Sequence, residues 1–230
     1  MSINYRIISI GTLAAHPLWE ERTPARGGHA TTTLIITDDA NILVDPSLPP
    51  KVLAARLDER SNVKLDQITH VFLTSVDQLH GRGLTTFENA KWLAHEPDLE
   101  AALAQLDEQI RQTEKGDDRE LLAVLETQKK IFSKCEPASD SIVQGVDLFP
   151  LPGVTEGTCG LLLALPGSTV LICGDAIATS EHLEKGKVLP NCHNIEQAQA
   201  SFTEAIEIAD VLILGRDNIT LNPLRRPFGM

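Results

Sequence analysis

Apolar and polar residues alternate over residues 5–10, and β-branched runs follow over 30–37 and Asn41–Val44 with Asp38 and Asp39 between them. Alternation predicts a half-buried strand, and two such runs around an Asp-Asp pair predict a tight hairpin. A helix is expected from Pro50 to about residue 60. Residues 68–73 form a short apolar run that stops at a polar cluster of Thr74, Ser75, Asp77 and His80, followed by Gly81 and Gly83. A strand that ends in clustered polar groups opens onto a site. One more strand fits residues 91–95.

The texture changes at Pro97. Leucine and isoleucine recur at 99, 103, 106 and 110, and apolar residues recur at 121, 124, 125, 131 and 132, with Gly116 between the two sets. These spacings predict a helical hairpin over 97–134, its second helix beginning at Asp117. Two short helices with a shared apolar face need a surface to bury it, so the pair is expected to pack on the body. Its charged outer faces read as solvated surface, or as a lid or a homodimer surface. Strand patterns resume over 141–151, 161–165 and 169–173, then a helix over 195–208 and a strand over 211–214. Hairpin strands followed by strand–helix units thus appear twice, once on each side of 97–134. Each set needs one face covered by helices, which predicts an α/β four-layer αββα sandwich of two mixed sheets. A chain of 230 residues can bury one sizeable core, so a single domain over 1–230 is expected.

Charge and composition narrow the partners. With 42% apolar and 23% charged residues the chain reads as globular, and a net charge of −12 disfavours nucleic acid and anionic membranes. The first residues read as a strand and not a leader, and no apolar run approaches the roughly 20 residues that span a bilayer. Cys135, Cys159, Cys173 and Cys192 lack pairing spacing and read as reduced thiols of a cytoplasmic protein. A small-molecule ligand or substrate is the expected partner.

Four motifs, each at a predicted strand end, resemble those of the metallo-β-lactamase superfamily. Residues 74–80, TSVDQLH, lie on its T-H-x-H-x-D-H loop: Ser75 and Asp77 stand at the first two histidines, Leu79 at the aspartate, and His80 matches. Residues 151–158, LPGVTEGT, lie on T-P-G-H-T-P-G-S with Val154 at the histidine. Gly174-Asp175 matches the Gly-Asp whose aspartate bridges two metals, and Gly215-Arg216 stands at a terminal Gly-His. The resemblance implies the αββα fold, and in an intact member a dinuclear zinc site that activates water against an ester, amide, thioester or phosphoester. Of its seven ligand positions this chain keeps His80 and Asp175. Asp45 falls beneath the metals by resemblance, while Asp45-Pro46-Ser47 alone also reads as a turn capping the following helix.

Several functions stay open on these residues. One is an altered or non-catalytic homologue, a pseudoenzyme with a degenerate site, that keeps a ligand-binding cleft. Ser75, Arg216, Asp217 and Asp45 would border that cleft, with Arg216 paired to Asp175 and Asp77 as a second acceptor. Another is a metal-dependent hydrolase with one shifted site formed by His29, Asp77, His80 and Asp175, of which the last three would be catalytic. That donor set suits zinc, iron or manganese without choosing between them, so the cofactor is none or one divalent metal. A metal-free hydrolase would use Ser75 as nucleophile and His80 as base. A pure scaffold or partner-binding role would need no site. His16, His70, His95, His182 and His193 lack ligand spacing and read as surface or packed residues.

Overall fold

The computed structural model describes residues 2–116 and 118–224. Asp117, the expected start of the second hairpin helix, lies outside the described residues. The first sheet is formed by β1 (Asn4–Ser9), β2 (Thr32–Ile36), β3 (Asn41–Val44), β4 (His70–Leu73), β5 (Lys91–Ala94) and β6 (Glu136–Pro137), paired in that order. Its first three strands are antiparallel and the remainder pair in parallel. The second sheet comprises β7 (Ser141–Val143), β8 (Val146–Pro150), β9 (Cys159–Leu165), β10 (Ser168–Ile172), β11 (Val211–Ile213) and β12 (Ile219–Leu221). It too is mixed, with β10 and β11 parallel between antiparallel neighbours. Among the described residues five α-helices accompany them: α1 (Pro50–Arg60), α2 (Glu96–Gly116), α3 (Arg119–Phe132), α4 (Ser180–Lys185) and α5 (Ile195–Ile208).

Side-chain alternation builds the four layers. In β3, Ile42 and Val44 face the second sheet, where they meet Leu161, Leu163, Val170 and Ile172, while Leu43 between them faces the helices. All are buried, as expected of a strand covered on both faces. On the outer face of the first sheet, Leu53 and Leu57 of α1, Leu99 and Leu106 of α2, and Leu125 and Phe132 of α3 join one cluster with Val71 and Leu73. Beyond the second sheet, Phe202 and Ala205 of α5 pack on Leu171 and Leu212. Each fully buried large side chain contributes about 1.5–3 kcal/mol, so both helical layers are anchored to their sheets. Among the described residues no helix is long and apolar enough to cross a membrane.

Some local expectations change. The stretch 141–151 is two strands, because Gly145 turns the chain at φ +80°. β6 and β12 were not anticipated; two and three residues are too few to show a period. On α3 the buried stripe is narrower than the sequence suggests, since Leu121 and Val124 remain 46% and 45% exposed. Asp118 caps that helix by accepting from the Leu121 N–H at 3.0 Å.

Candidate functional site

Four strand ends converge. β3 leads into Asp45, β4 into residues 74–80, β10 into Asp175 and β11 into Arg216. Two glycines allow the second-sheet pair to close up. A Cβ on Gly215 would lie 2.2 Å from the Gly174 carbonyl oxygen, and one on Gly174, at φ +52°, would lie 2.7 Å from Thr74 Oγ1. Neither obstacle is a flexible side-chain tip, so only glycine permits the approach. The Gly215 N–H donates to the Ile177 carbonyl and the Arg216 N–H to the Ala178 carbonyl, which fixes where the arginine side chain starts.

At the centre the Arg216 guanidinium grips the Asp175 carboxylate. Nε donates to Oδ1 at 2.6 Å and Nη2 to Oδ2 at 2.5 Å, with both side chains 8% exposed. His80, fully buried, brings Nε2 within 3.7 Å of Asp175 Oδ2 and 3.4 Å of Arg216 Nη2. Its Nδ1–H donates to Asp77 Oδ2 at 2.8 Å, while Asp77 Oδ1 accepts from the Leu79 and His80 N–H groups at 2.7 Å each. Asp77 therefore spends its oxygens on His80 and the turn, and is not the second acceptor for Arg216 that its sequence position suggested.

Burial by itself would drive the His80 proton off, but the neighbouring Asp77 and Asp45 carboxylates outweigh it and lift the imidazole to about 9. A charged His80 and Arg216 are both donors, so their 3.4 Å approach is two cations sharing one carboxylate. Desolvation likewise works against ionised Asp175 and Asp77, yet the cations beside them hold both below the usual carboxylate range. Asp45 is different. Its burial dominates and raises it to about 6.

The remaining expected residues take other positions. Asp45, at φ +49°, accepts from the Thr74 N–H at 2.9 Å and the Thr74 hydroxyl at 2.7 Å. It does not cap α1, whose N-cap is Pro49, and Ser47 instead receives the Ala30 N–H and donates to the Leu79 carbonyl. His29 stays apart from the centre: its bridge to Thr12 turns the ring to the sheet edge, where Nε2 meets the Ile10 carbonyl at 2.9 Å and the Ser9 hydroxyl at 3.4 Å. Ser75 lies 3.3 Å from the Thr158 hydroxyl and is not on His80, so no Ser75–His80 pair is assembled. Asp217 accepts from the N–H and hydroxyl of Ser180, pinning the start of α4. His16 and His182 pack together, ring centroids 5.3 Å apart, around the Thr179 hydroxyl.

A family model described as the metallo-beta-lactamase superfamily matches residues 25–211. The chain belongs to that superfamily. Comparison with the curated proteins finds no match. Among solved structures, a candidate metallo-beta-lactamase of Thermotoga maritima is 19% identical at a TM-score of 0.68, over 96% of this chain and 100% of that one. B. thuringiensis AiiA with N-decanoyl-L-homoserine at its active site is 18% identical at a TM-score of 0.64, over 94% and 92%. AidC, a dizinc quorum-quenching lactonase, is 15% identical at a TM-score of 0.61, over 77% and 67%. At these identities the likeness is one of fold.

The metal centre implied by the superfamily does not fit the side chains as they stand. A guanidinium occupies both oxygens of Asp175, Val154 offers hydrocarbon, and among the described residues no three His, Cys, Asp or Glu side chains converge as a ligand set. The converging set of His29, Asp77, His80 and Asp175 is corrected on two counts: His29 is held at the sheet edge, and Asp77 lies on His80 Nδ1, across the ring from Asp175.

Sequence reasoning missed Asp98. This carboxylate, 4% exposed in the first turn of α2, accepts from the Val76 N–H at 2.6 Å, the Gly157 N–H at 3.2 Å and the Thr155 hydroxyl. Thr155 and Thr158 hydroxyls in turn lie 2.5 Å apart. Asp98 thereby ties the helical hairpin to both motif loops at once. An acidic residue just after a proline at a helix start was the only local hint, and its partners lie 22 and 59 residues away. Against these loops opens a cleft of about 670 Å³, lined by Asp77 among others, with residues of α2 along one side.

Proposed function

We propose that this protein is a metallo-beta-lactamase-fold homologue in which a buried ion-pair network replaces the metal centre, and which keeps its cleft to bind a small molecule. The observation that carries the reading is the two-bonded contact of Arg216 with Asp175, backed by His80 on Asp77. A buried carboxylate needs a compensating cation, and a guanidinium supplies a permanent charge in a planar fork that matches both oxygens. With that cation built into the chain, the guanidinium takes up the Asp175 oxygens that a bound metal would need in order to polarise a carbonyl or ionise a water. The cleft's volume lies in the range of small-molecule sites. Metal analysis of purified protein, before and after dialysis against zinc and manganese, tests the reading. Substoichiometric metal in both samples is expected, and one tightly held ion per chain would overturn it.

A second reading is favoured by one feature: Asp77, His80 and Asp175 do lie side by side. In a metal-dependent hydrolase of an ester, thioester or phosphoester His80 Nε2 and Asp175 would hold a single ion after Arg216 withdrew, with Asp77 joining only if it left Nδ1 and His29 only if its loop moved. Stoichiometric metal with metal-dependent hydrolysis would establish it.

A further inference from the structure

Resting on the ligand-binding reading above, we propose that the cleft beside Asp77 selects a small amphipathic cation, a primary or secondary amine carrying a short apolar group, and rejects carboxylates and phosphates. The charges around the cleft carry the argument. The lining includes the carboxylates of Asp77, Asp98 and Glu156 and no lysine or arginine. Among the described residues its one imidazole is that of His193, whose Nδ1 lies 3.9 Å from Glu156 Oε1.

The two cations beneath the cleft do not reverse its sign. Arg216 and His80 are turned onto Asp175 and Asp77, with 8% and 0% exposure, and their donors are directed at those carboxylates. A ligand in the cleft meets Glu156 instead, whose side chain is 56% exposed, and the outer side of Asp77, 45% exposed with both oxygens already accepting from His80 and the turn. Asp98 adds to the field from within the wall, its oxygens already receiving the Val76 and Gly157 N–H groups. Low-dielectric walls concentrate such a field.

Part of the wall is apolar and part is polar. Val76, Val154 and the small side chains Ala101, Ala102 and Ala104 line the space. At position 154 the valine offers a methyl surface where the family motif has an imidazole. An alkyl group therefore has a surface to lie on, with an ammonium meeting the carboxylates, and the amides of Gln105 and Asn191 can accept a further amine hydrogen. A carboxylate or phosphate would meet the same carboxylates with no lysine or arginine among the described lining residues to answer it.

The test titrates the full chain with n-hexylamine and, separately, hexanoate, following backbone amide resonances by NMR. Hexylamine should give saturable shifts centred on Val76, Gln105 and Glu156, weakened by added salt. Hexanoate should give none there. Glu156→Gln, at an exposed position, should weaken amine binding by about threefold, the effect of one partly screened charge. Hexanoate binding as tightly as hexylamine, shifts confined to another surface, or an amine affinity unchanged in Glu156→Gln would each overturn the proposal. The metal content of the same sample separates this from the reading beneath it. A metal-free protein that prefers hexanoate defeats the amine proposal alone, whereas stoichiometric zinc defeats the ligand-binding reading itself.

Discussion

Arg216 and Asp175, 41 residues apart in sequence, meet through parallel hydrogen bonds of 2.6 and 2.5 Å at the ends of two neighbouring parallel strands. Removing one member leaves the other buried and unpaired. Arg216→Ala is therefore expected to destabilise the fold by about 3–5 kcal/mol in urea denaturation. Arg216→Lys should recover only part of that loss, because an ammonium cannot engage both oxygens in a planar fork. In a double-mutant cycle with Asp175→Ala, the two losses should fall well short of adding. Additive losses would mean that the pair is not energetically coupled.

His80 gives the network a pH signature. The fold lifts its imidazole from the ordinary 6.5 to about 9, so the folded state binds that proton more tightly than the unfolded chain. The resulting stability is complete below pH 6.5 and drains away as pH rises toward 9. Buried Cys135, raised from 9.0 to about 12, adds its own loss only above 9. Between pH 7 and 8.5 stability should thus fall by about 1–2 kcal/mol through His80. His80→Gln should flatten that slope. A variant with the wild-type slope would assign the titration elsewhere.

Asp98 should matter more than its place on an acidic helix face suggests. Asp98→Ala removes the acceptor for the Val76 and Gly157 N–H groups and for Thr155. A loss of about 2–4 kcal/mol is expected from stranding buried donors. Hydrogen exchange should quicken at Val76, at Gly157 and along α2 together, since one side chain joins all three. Faster exchange in α2 alone would reduce Asp98 to a helix-end role.

The Gly174–Gly215 contact predicts a steric effect. Gly215→Ala would push a methyl within 2.2 Å of the Gly174 carbonyl oxygen and 2.9 Å of the Asp175 N–H nitrogen. Backbone must move to admit it, and Asp175 would move too. We expect the variant to fold poorly or to lose about 3 kcal/mol or more, with Gly27→Ala, where a Cβ meets nothing within 4 Å, as the milder comparison.

The architecture was legible because its signals are periodic or local. Ile42, Leu43 and Val44 announce a strand buried on both faces, and the Leu99–Leu106 stripe announces a helix that needs a surface. Part of the site followed from the need of a buried carboxylate such as Asp175 for a cation. The rest depended on where rings and oxygens point. Nothing in the spacing of Asp77 and His80 distinguishes two metal ligands from a hydrogen-bonded pair; the turn that aims Asp77 Oδ1 at two N–H groups decides it. His29 sits at a strand start in the sequence, yet its bridge to Thr12 carries the ring away. Asp98 acts across 22 and 59 residues, beyond any local pattern.

Arg216→His exchanges the built-in cation for an external one. His80 already has the arrangement of a metal-binding imidazole: Nδ1–H is held by Asp77, and Nε2 faces Asp175 Oδ2 at 3.7 Å. A carboxylate on the far nitrogen orients such a ring and raises its basicity as a ligand. What prevents coordination is the guanidinium on Asp175. Arg216→His removes it and places a second imidazole at the same strand end, giving two imidazoles and a carboxylate, a donor set suited to zinc. The variant is expected to be less stable than wild type without metal, to regain stability as zinc is added, and to lose the gain with a chelator, as linkage requires. Zinc uptake should also release protons, because His80 must give up its Nε2 proton to coordinate. Calorimetry in two buffers of different ionisation enthalpy measures that release. A variant that binds zinc no better than wild type would show that more than Arg216 separates this site from a metal centre.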